Sequence, residues 1–415
     1  MQKILFSLTL VLILTGFTNL RAQDPFKTDM DSVIAWYVGK VNADSIQSYM
    51  QSLEDMGTRF CLADNRRDVS MWIKNKFLEF GYPEVRLDSF LLDRWYGSSF
   101  YRTWQYNVVC QLTGYERPDE IYIVGGHHDA IVPSSSNPFV IAPGADDNAS
   151  GTAAAIEIAR IMKQYNYYPE ATIKFITFAA EELGLHGSWH YANKAKSENK
   201  SIKMMLNNDM ISYCTLPQEQ WKIRFVKYPN SLWVTNLAHY ITQNYTILNA
   251  VETTQYSQQS DSYPFYFNGF HTIFFIEDQF TPFYHTINDL VSTTNKEYAA
   301  EVVKISLGML IHENGPGLHT GIEQPPLKSL SALYQNFPNP FPDKTSIKYS
   351  VSEPTWISLK VYDASGREVA VLHDGMQEAG SHWVTFNALT LPQGIFYCQL
   401  RTGTETSTIK LAVSR

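Results

Sequence analysis

TIKFITFAA (172–180) is a short, mostly apolar run that is followed at once by the acidic pair Glu181-Glu182. Runs of this length and composition are typical of β-strands that are buried on both faces. Four similar runs occur elsewhere in the chain: NVVCQL (107–112), IYIVGG (121–126), KMMLNN (203–208) and HTIFFIE (271–277). Strands buried on both faces need a covering layer on each side, so these runs predict a sheet that lies between two layers of helices.

Helical segments separate these strands. Between IYIVGG and TIKFITFAA, apolar residues recur at i, i+3, i+4 and i+7 from Ala155 to Met162, and Asp147 or Asn148 is available as the N-cap. A helical pattern also dominates residues 31–80. The alternation of strand and helix predicts an α/β fold: a mostly parallel, mixed sheet covered by helices on both faces.

The pattern changes after residue 312. ENGPGLHTGIEQPPLKSL (313–330) is rich in Gly and Pro and has no periodicity, which predicts a linker. Apolar residues then alternate within 347–351, 357–361 and 409–413, which predicts a small all-β sandwich at 331–415. The sandwich has no cluster of His, Asp and Glu, so we expect the chemistry to lie in the domain at 23–312.

The first 22 residues have the pattern of a secretory signal peptide. Lys3 precedes an apolar run from Ile4 to Gly16, and the small residue Ala22 precedes the expected cleavage point. The apolar run is shorter than the roughly 20 residues that a membrane-spanning helix needs. We therefore expect the protein to be exported through the periplasm, with no integral membrane segment in the mature chain.

Composition limits the partners. The chain of 415 residues has a formal net charge of −8, which gives no basic face for nucleic acid. The four cysteines are widely spaced, so neither a disulfide framework nor a thiolate metal site is indicated, and any single disulfide has no obvious pairing. They are Cys61, Cys110, Cys214 and Cys398.

Candidate metal-binding side chains lie in five short stretches. These are GGHHDA (125–130), PGADDNASG (143–151), AAEELGLHGS (179–188), NNDM (207–210) and FYHTIND (283–289). His127 and Asp209 follow predicted strands, as do Glu181 and Glu182, whereas Asp146 opens a predicted helix. Ligands of open α/β sheets bind beyond the carboxyl ends of the strands, so we expect these side chains to meet at one edge.

The numbers of acids and metals agree with a two-metal hydrolase. Two divalent cations would balance the carboxylates of Asp146, Glu182 and Asp209 together with one bridging hydroxide. Glu181 is then left to accept a proton from the metal-bound water and to pass it to a leaving amine. Ligands that offer oxygen and nitrogen without thiolate fit two zinc ions best, and cobalt or manganese could replace them.

Residues near the two histidines add detail. Asp129 lies two positions after His127 and is expected to hold its imidazole ring by a hydrogen bond. His285 lies in an aromatic loop with Phe280, Phe283 and Tyr284, which suggests an apolar pocket for a substrate side chain.

The five stretches, in this order and spacing, resemble the M28 family of zinc exopeptidases over residues 30–312. The resemblance implies a secreted aminopeptidase in which a bridging metal-bound hydroxide attacks peptides that have a free N-terminus. It implies that His127 and Asp209 hold one zinc, that Glu182 and His285 hold the other, and that Asp146 bridges them.

The same resemblance implies roles for neighbouring residues. Glu181 would be the general base and acid, and Asp129 would support His127. Family members often have a cis bond between the paired acids, here Asp146-Asp147. They often also place a Tyr on a disulfide-closed loop before a Ser-Asp pair; Tyr256 precedes Ser260-Asp261 here without a nearby Cys, so the resemblance does not extend to this Tyr.

The tail resembles a second family. LYQNFPNPFPDKTSIKYSV (333–351), LPQGIFYCQL (391–400) and the closing TIKLAV (408–413) are similar to the C-terminal sorting domain of the bacterial type IX secretion system. The resemblance implies that the secretion machinery is a partner and that the protein is secreted or attached to the outer surface.

Three alternatives to an aminopeptidase remain open from the sequence. A carboxypeptidase or dipeptidase of the same family would need a cation for the terminal carboxylate. A glutaminyl cyclase of related fold would hold one zinc and have an altered paired-glutamate motif. A surface module that only binds metal would need every coordination position filled by the protein.

Overall fold

The computed structural model describes residues 30–315, 332–333, 336, 339–351, 354–378, 380–403 and 405–414. They form two compact units, one on each side of residue 318. The signal peptide expected at 1–22 and residues 316–330 of the expected linker lie outside these ranges. The last helix of the first unit ends at Asn314, so the beginning of the expected linker is helical.

The first unit alternates helices and strands. Its helices are α1 (Met30–Val38), α2 (Ala43–Glu54), α3 (Arg66–Glu79), α4 (Ser150–Gln164), α5 (His186–Ser197), α6 (Leu232–Tyr245), α7 (Ser262–Phe267) and α8 (Lys296–Asn314). Its strands are β1 (Val85–Tyr96), β2 (Ser99–Leu112), β3 (Arg117–His127), β4 (Ala171–Phe178), β5 (Ser201–Asn208), β6 (Lys222–Val226), β7 (Asn249–Thr253) and β8 (Thr272–Glu277).

These strands form one mixed sheet in the order β1-β2-β4-β3-β5-β8-β6-β7. The central strands β4, β3, β5 and β8 are parallel to one another, while β2 pairs with β4 and β6 pairs with β8 in antiparallel fashion. The central strands are the predicted apolar runs, which confirms the predicted mixed α/β sheet.

Successive residues of the central strands pack on opposite faces. On β3, Val124 belongs to the large cluster formed with α1, α2, α3, α4, α6 and α8, whereas Ile123 belongs to a second cluster with α5 and α7. Phe175 and Ile176 of β4 divide in the same way. Both faces are therefore covered, which explains why these runs are apolar throughout rather than alternating.

The start of α4 packs tightly against the end of β5. A Cβ atom on Gly151 would lie 1.9 Å from the backbone oxygen of Asn208, so only glycine allows this approach. Asn148 caps the helix, because its Oδ1 accepts a hydrogen bond from the Gly151 N–H at 2.8 Å. Of the two caps that the sequence allowed, Asn148 takes the role, and Asp147 is free for another one.

The second unit is an all-β sandwich, as predicted. Its strands are β9 (Ala332–Leu333), β10 (Lys344–Val351), β11 (Thr355–Asp363), β12 (Glu368–Gln377), β13 (Gly380–Asn387), β14 (Gly394–Thr402) and β15 (Glu405–Val413). One sheet has the order β13-β10-β9 and the other β12-β11-β14-β15. A common core between the sheets includes Ile347, Leu359 and Leu411.

In the described part of the chain, no helix combines the length and the apolar character needed to cross a bilayer.

Candidate metal centre

The candidate side chains meet at the carboxyl ends of the parallel strands. β3 ends at His127, β5 ends just before Asp209, and Ala179-Ala180 connects β4 to the paired glutamates. The chain turns sharply there, because Ala180 has a φ of 57° in the left-handed region. His285 comes from the loop that follows β8. The edge predicted from strand ends therefore exists, and it gathers residues that are far apart in sequence.

The carboxylate of Asp147 lies between the two histidines. One oxygen, Oδ1, is 3.2 Å from His127 Nε2, and the other, Oδ2, is 3.2 Å from His285 Nε2. On the first side, His127 Nε2 is also 3.3 Å from Asp209 Oδ1. On the second side, His285 Nε2 is 2.9 Å from Glu182 Oε2. One carboxylate thus faces two separate groups, each composed of an imidazole and another acid.

Asp146, which we expected between the histidines, points away from them. Its Oδ1 accepts hydrogen bonds from the backbone N–H and the hydroxyl of Ser212, at 2.8 Å and 2.7 Å. The backbone at Asp147 has non-helical angles of φ −107° and ψ 94°, and these turn the second acid of the pair toward the edge. In the structure, Asp147 and not Asp146 therefore lies at the position between the histidines that we expected for Asp146.

The cis bond is displaced by the same single residue. It lies between Asp147 and Asn148 rather than between Asp146 and Asp147. From a single sequence, it cannot be predicted which of two adjacent acids faces the site.

Asp129 accepts hydrogen bonds from the paired glutamates and from His127. Its carboxylate accepts hydrogen bonds from the backbone N–H groups of Glu181 and Glu182, at 3.0 Å and 3.3 Å. Its backbone oxygen accepts a hydrogen bond from His127 Nδ1 at 3.1 Å, whereas its carboxylate is 3.6 Å from the same atom. The predicted support of His127 is present, but the carbonyl provides it, and the carboxylate holds the loop of the paired glutamates.

Glu181 is buried beside the first histidine. Its Oε2 lies 3.9 Å from His127 Nε2, and its pKa is well above the ordinary value because burial penalises the charged form. The neighbouring charge of Glu182 raises that pKa further, while His127 lowers it. Glu181 is therefore a buried acid whose affinity for a proton is increased, and its described ion-pair contact is with His127.

The donors fit metal ions. Glu182 Oε1, Asp209 Oδ1 and His285 Nε2 are buried and make no hydrogen bond within the described residues. Burial alone would lower the pKa of His285, but the adjacent carboxylates of Asp147 and Glu182 raise it to about 10. Several buried carboxylates grouped this closely are costly unless a cation joins them. Two overlapping groups have candidate ligand atoms within 4.8 Å of one another: His127 with Glu181 and Asp209, and His127 with Asp147 and Glu182.

The four cysteines take no part in these groups. Each is a free, buried thiol, so no disulfide links them.

Tyr256 belongs to an aromatic row at the edge of the site. Its ring stacks on Phe280 at 6.1 Å, Phe280 contacts Tyr284 at 5.2 Å, and Tyr284 stacks on the His285 ring at 3.7 Å. The loop predicted to line an apolar pocket thus presents Phe280 and Tyr284 next to the second histidine, each 42% exposed.

Two residues that the sequence did not single out hold the segment that carries Asp147. Asp289 accepts hydrogen bonds from the backbone N–H groups of Asp146 and Asp147, at 2.9 Å and 3.0 Å. Arg59 is buried and donates to the backbone oxygens of Pro143 and Gly144, at 2.5 Å and 2.6 Å. Neither residue belongs to a motif that a single sequence would reveal, because Asp289 is simply an acid four positions after His285 and Arg59 is an isolated arginine.

Ser260 supports the other end of the site. Ser260 donates a hydrogen bond to Asp209 Oδ2 at 2.5 Å and accepts one from Asn207. This contact leaves Asp209 Oδ1 as the oxygen that faces His127.

We expect Asp289→Asn to weaken zinc binding by about 10–100-fold, because one of its two accepting oxygens becomes a donor beside an N–H group. Titration calorimetry of the metal-free protein measures this directly, and its thermal unfolding checks the fold. Asp278→Asn is the matched control, since the described ion pair of the partly buried Asp278 is with Arg224. Zinc affinity equal to that of the unaltered protein would show that Asp289 does not position Asp147.

Two families match parts of the chain. Residues 107–310 match peptidase family M28, and residues 335–414 match the secretion system C-terminal sorting domain. A probable zinc metalloprotease of Pyrenophora teres f. teres is 35% identical over 191 residues, which are 42% of this chain and 40% of that protein. The chain therefore spans less than half the length of this relative.

A probable aminopeptidase of Saccharomyces cerevisiae, YDR415C, is 25% identical over 285 residues, which are 66% of this chain and 74% of that protein. The LapA aminopeptidase of Legionella pneumophila has a similar fold, with a TM-score of 0.58, 19% identity and coverage of 71% of this chain and 78% of LapA. A glutaminyl cyclase of Fimbriiglobus ruber also has a similar fold, with a TM-score of 0.54, 15% identity and coverage of 65% and 95%.

The α/β sheet is thus shared by aminopeptidases and a cyclase, and fold alone does not separate the two activities. The chain thus contains a peptidase family M28 domain at residues 107–310 and a secretion system C-terminal sorting domain at residues 335–414.

Proposed function

We propose that this protein is a secreted, zinc-dependent aminopeptidase that removes apolar N-terminal residues from peptides. The observation that carries the proposal is the carboxylate of Asp147, which lies 3.2 Å from both His127 and His285. A shared carboxylate between two ligand groups is the arrangement that a pair of divalent ions needs.

His127 and Asp209 would hold one zinc, His285 and Glu182 the other, and Asp147 would be shared by both. This assignment replaces Asp146 of the sequence-based set and keeps its other members. When bound, zinc lowers the pKa of water toward neutrality and polarises a carbonyl group.

Glu181 is the residue that moves the proton. It is buried, it is not needed as a ligand, and its raised pKa suits a group that takes a proton from the attacking water and returns it to the departing amine. Asp129 orients it, because both glutamate N–H groups donate to the Asp129 carboxylate. One acid thus fixes the loop that carries the proton acceptor Glu181 and the ligand Glu182.

The surroundings of the site favour an aminopeptidase over a carboxypeptidase. A carboxypeptidase needs a free cation for the terminal carboxylate of its substrate. Arg59 lies close enough to influence Asp147 and Glu182 electrostatically, but its guanidinium donates to the backbone oxygens of His128, Pro143 and Gly144. Three of its five N–H donors are thus bound to backbone oxygens, and the residue is only 2% exposed, which disfavours its use as a clamp for a substrate carboxylate.

The paired glutamates favour a peptidase over a glutaminyl cyclase. A cyclase of related fold would hold one zinc and would need one ligand group. Two such groups are present here, because Glu182 and His285 lie 2.9 Å apart on one side of Asp147, and His127 and Asp209 lie 3.3 Å apart on the other. A structural metal module is disfavoured for a different reason: Glu181 is a buried acid that such a site would leave unused.

Secretion by the type IX route is part of the proposal. The sorting domain matched at residues 335–414 supports it, and the signal peptide expected at residues 1–22 would direct the first export step.

Hydrolysis of aminoacyl anilides tests the proposal. We expect the leucine and phenylalanine anilides to be cleaved in preference to the lysine and aspartate anilides, because the aromatic row beside His285 is apolar. Chelation should abolish activity and zinc should restore it, while N-acetyl-leucine anilide should remain uncleaved. Cleavage of acylated dipeptides would instead indicate a carboxypeptidase, and cyclisation of N-terminal glutamine without anilide hydrolysis would indicate a cyclase.

A further inference from the structure

The hairpin of β1 and β2 extends beyond the rest of the sheet. β2 pairs with β4 only from Val108 to Leu112, so its earlier residues, from Ser99, have β1 as their described strand partner. This unsupported part covers about 25 Å at the usual rise of a strand. Because Val108 is paired with Thr177 near the end of β4, the hairpin projects past the carboxyl ends of the parallel strands.

One face of the hairpin is packed against the domain. Phe90 and Leu92 are buried there in a cluster with Phe60 and Ala180, and Tyr101 stacks on Phe139 at 5.6 Å. These contacts hold the hairpin against the domain. The residues on its other face take no part in them.

The opposite face is an exposed strip of three cross-strand rows. We define the strip as the pairs Leu91 with Trp104, Asp93 with Arg102, and Trp95 with Phe100. The four apolar members are 44%, 53%, 67% and 51% exposed for Leu91, Trp104, Trp95 and Phe100. Exposed apolar side chains grouped on one face in this way are typical of an interaction site.

The charged row lies between the two apolar rows. Arg102 donates two hydrogen bonds of 2.8 Å to the carboxylate of Asp93, through Nε and Nη2. The strip is therefore neutral as a whole and carries one positive and one negative group side by side. This rules against nucleic acid, which needs an excess of positive charge, and makes insertion into a lipid bilayer costly.

We propose that the strip is the interface of a homodimer, in which the strips of two copies pack face to face. In this arrangement the two-fold axis runs parallel to the strands. Each row of one copy then lies over the same row of the other copy, and the β1 residue of one copy faces the β2 residue of the other. Asp93 then faces the partner's Arg102, and Trp95 faces the partner's Phe100. The pattern is complementary to itself in both charge and apolar character, as a two-fold interface requires.

The size of the strip predicts a weak dimer. Four apolar side chains that are about half exposed offer roughly 400 Å² per copy, about half of a standard interface. We expect dissociation constants of about 10–100 μM and reversible association. The inference does not depend on the proposed peptidase activity.

Charge reversal separates contacts between copies from contacts within one copy. Asp93→Arg puts two cations in the central row, and Arg102→Asp puts two anions there. Neither variant should dimerise alone, because like charges would face each other. A mixture of the two should associate, since the cationic row of one faces the anionic row of the other. The exposed intramolecular pair contributes little to folding, so both variants should fold.

Sedimentation velocity of the full secreted chain, from about 1 to 300 μM, measures the outcome. Asp278→Arg, which disrupts a surface pair elsewhere, should dimerise like the unaltered protein, and Trp95→Ser should shift association to at least tenfold higher concentration. Circular dichroism confirms the fold of each variant.

An unaltered protein that stays monomeric throughout this range would overturn the proposal, and so would a mixture of the two reversed variants that stays monomeric. If a monomeric protein bound phosphatidylcholine vesicles or a linear glucan through Trp95 and Trp104, the strip would be a surface for that ligand, and the dimer would again be excluded.

Discussion

Glu181→Ala is expected to lower kcat by at least about 1000-fold while the protein still binds both zinc ions, because the side chain transfers a proton without being needed as a ligand. Glu181→Gln should behave in the same way, since it keeps the size of the side chain and removes its basicity. Steady-state kinetics on leucine anilide and metal analysis of the same samples measure the two quantities separately.

Two glutamates serve as controls for this prediction. Glu182→Gln should lose zinc together with activity, because its oxygen lies 2.9 Å from His285. Glu198→Gln, at an exposed position after α5, should change neither quantity. If Glu181→Ala kept more than about a tenth of the activity, another group would have to move the proton, and the assignment of Glu181 would be wrong.

Asp147→Asn and Asp146→Asn should have very different effects although the residues are adjacent. The first removes the charge between the two histidines, so we expect loss of at least one zinc and about 1000-fold lower activity. The second alters a carboxylate bound to Ser212, so we expect both zinc ions to be retained and activity within about tenfold of the unaltered enzyme.

Thermal unfolding gives a further distinction between these two variants. Asp146→Asn should destabilise the protein by about 1–3 kcal/mol, because an amide oxygen accepts the two hydrogen bonds from Ser212 more weakly than a carboxylate does. If Asp146→Asn lost zinc and Asp147→Asn kept it, the bridging role would return to Asp146, as the sequence alone suggested.

The central sheet could be predicted from the sequence because its strands are buried on both faces and are therefore apolar throughout. The hairpin strand β1 and the edge strands β6 and β7 were not predicted. On β1, Leu91 and Trp95 alternate with inward-facing residues and lie among charged ones, so the strand has no continuous apolar run. A half-exposed strand with aromatic residues on its outer face is harder to recognise in a sequence than a strand that is apolar throughout.

Most of the candidate site could be predicted because His127, Asp209 and the paired glutamates follow strands and the Asp146-Asp147 pair opens a helix, while His285 was placed by the family resemblance. The exception was the choice within Asp146-Asp147, where a rotation of one residue about the backbone decides which carboxylate faces the histidines. Asp289 and Arg59 could not be predicted at all, because they act through hydrogen bonds to backbone groups of residues 143–147. Such contacts depend on tertiary structure and leave no pattern of residue types.

The number of zinc ions that the unaltered protein binds tests the account most directly. Metal-free protein should be titrated with zinc while bound metal and leucine anilide hydrolysis are measured on the same samples. We predict two equivalents per chain at saturation, with full activity reached only as the second is filled. Saturation at one equivalent with full activity, or no zinc binding at all, would contradict a site in which Asp147 is shared between two metal ions.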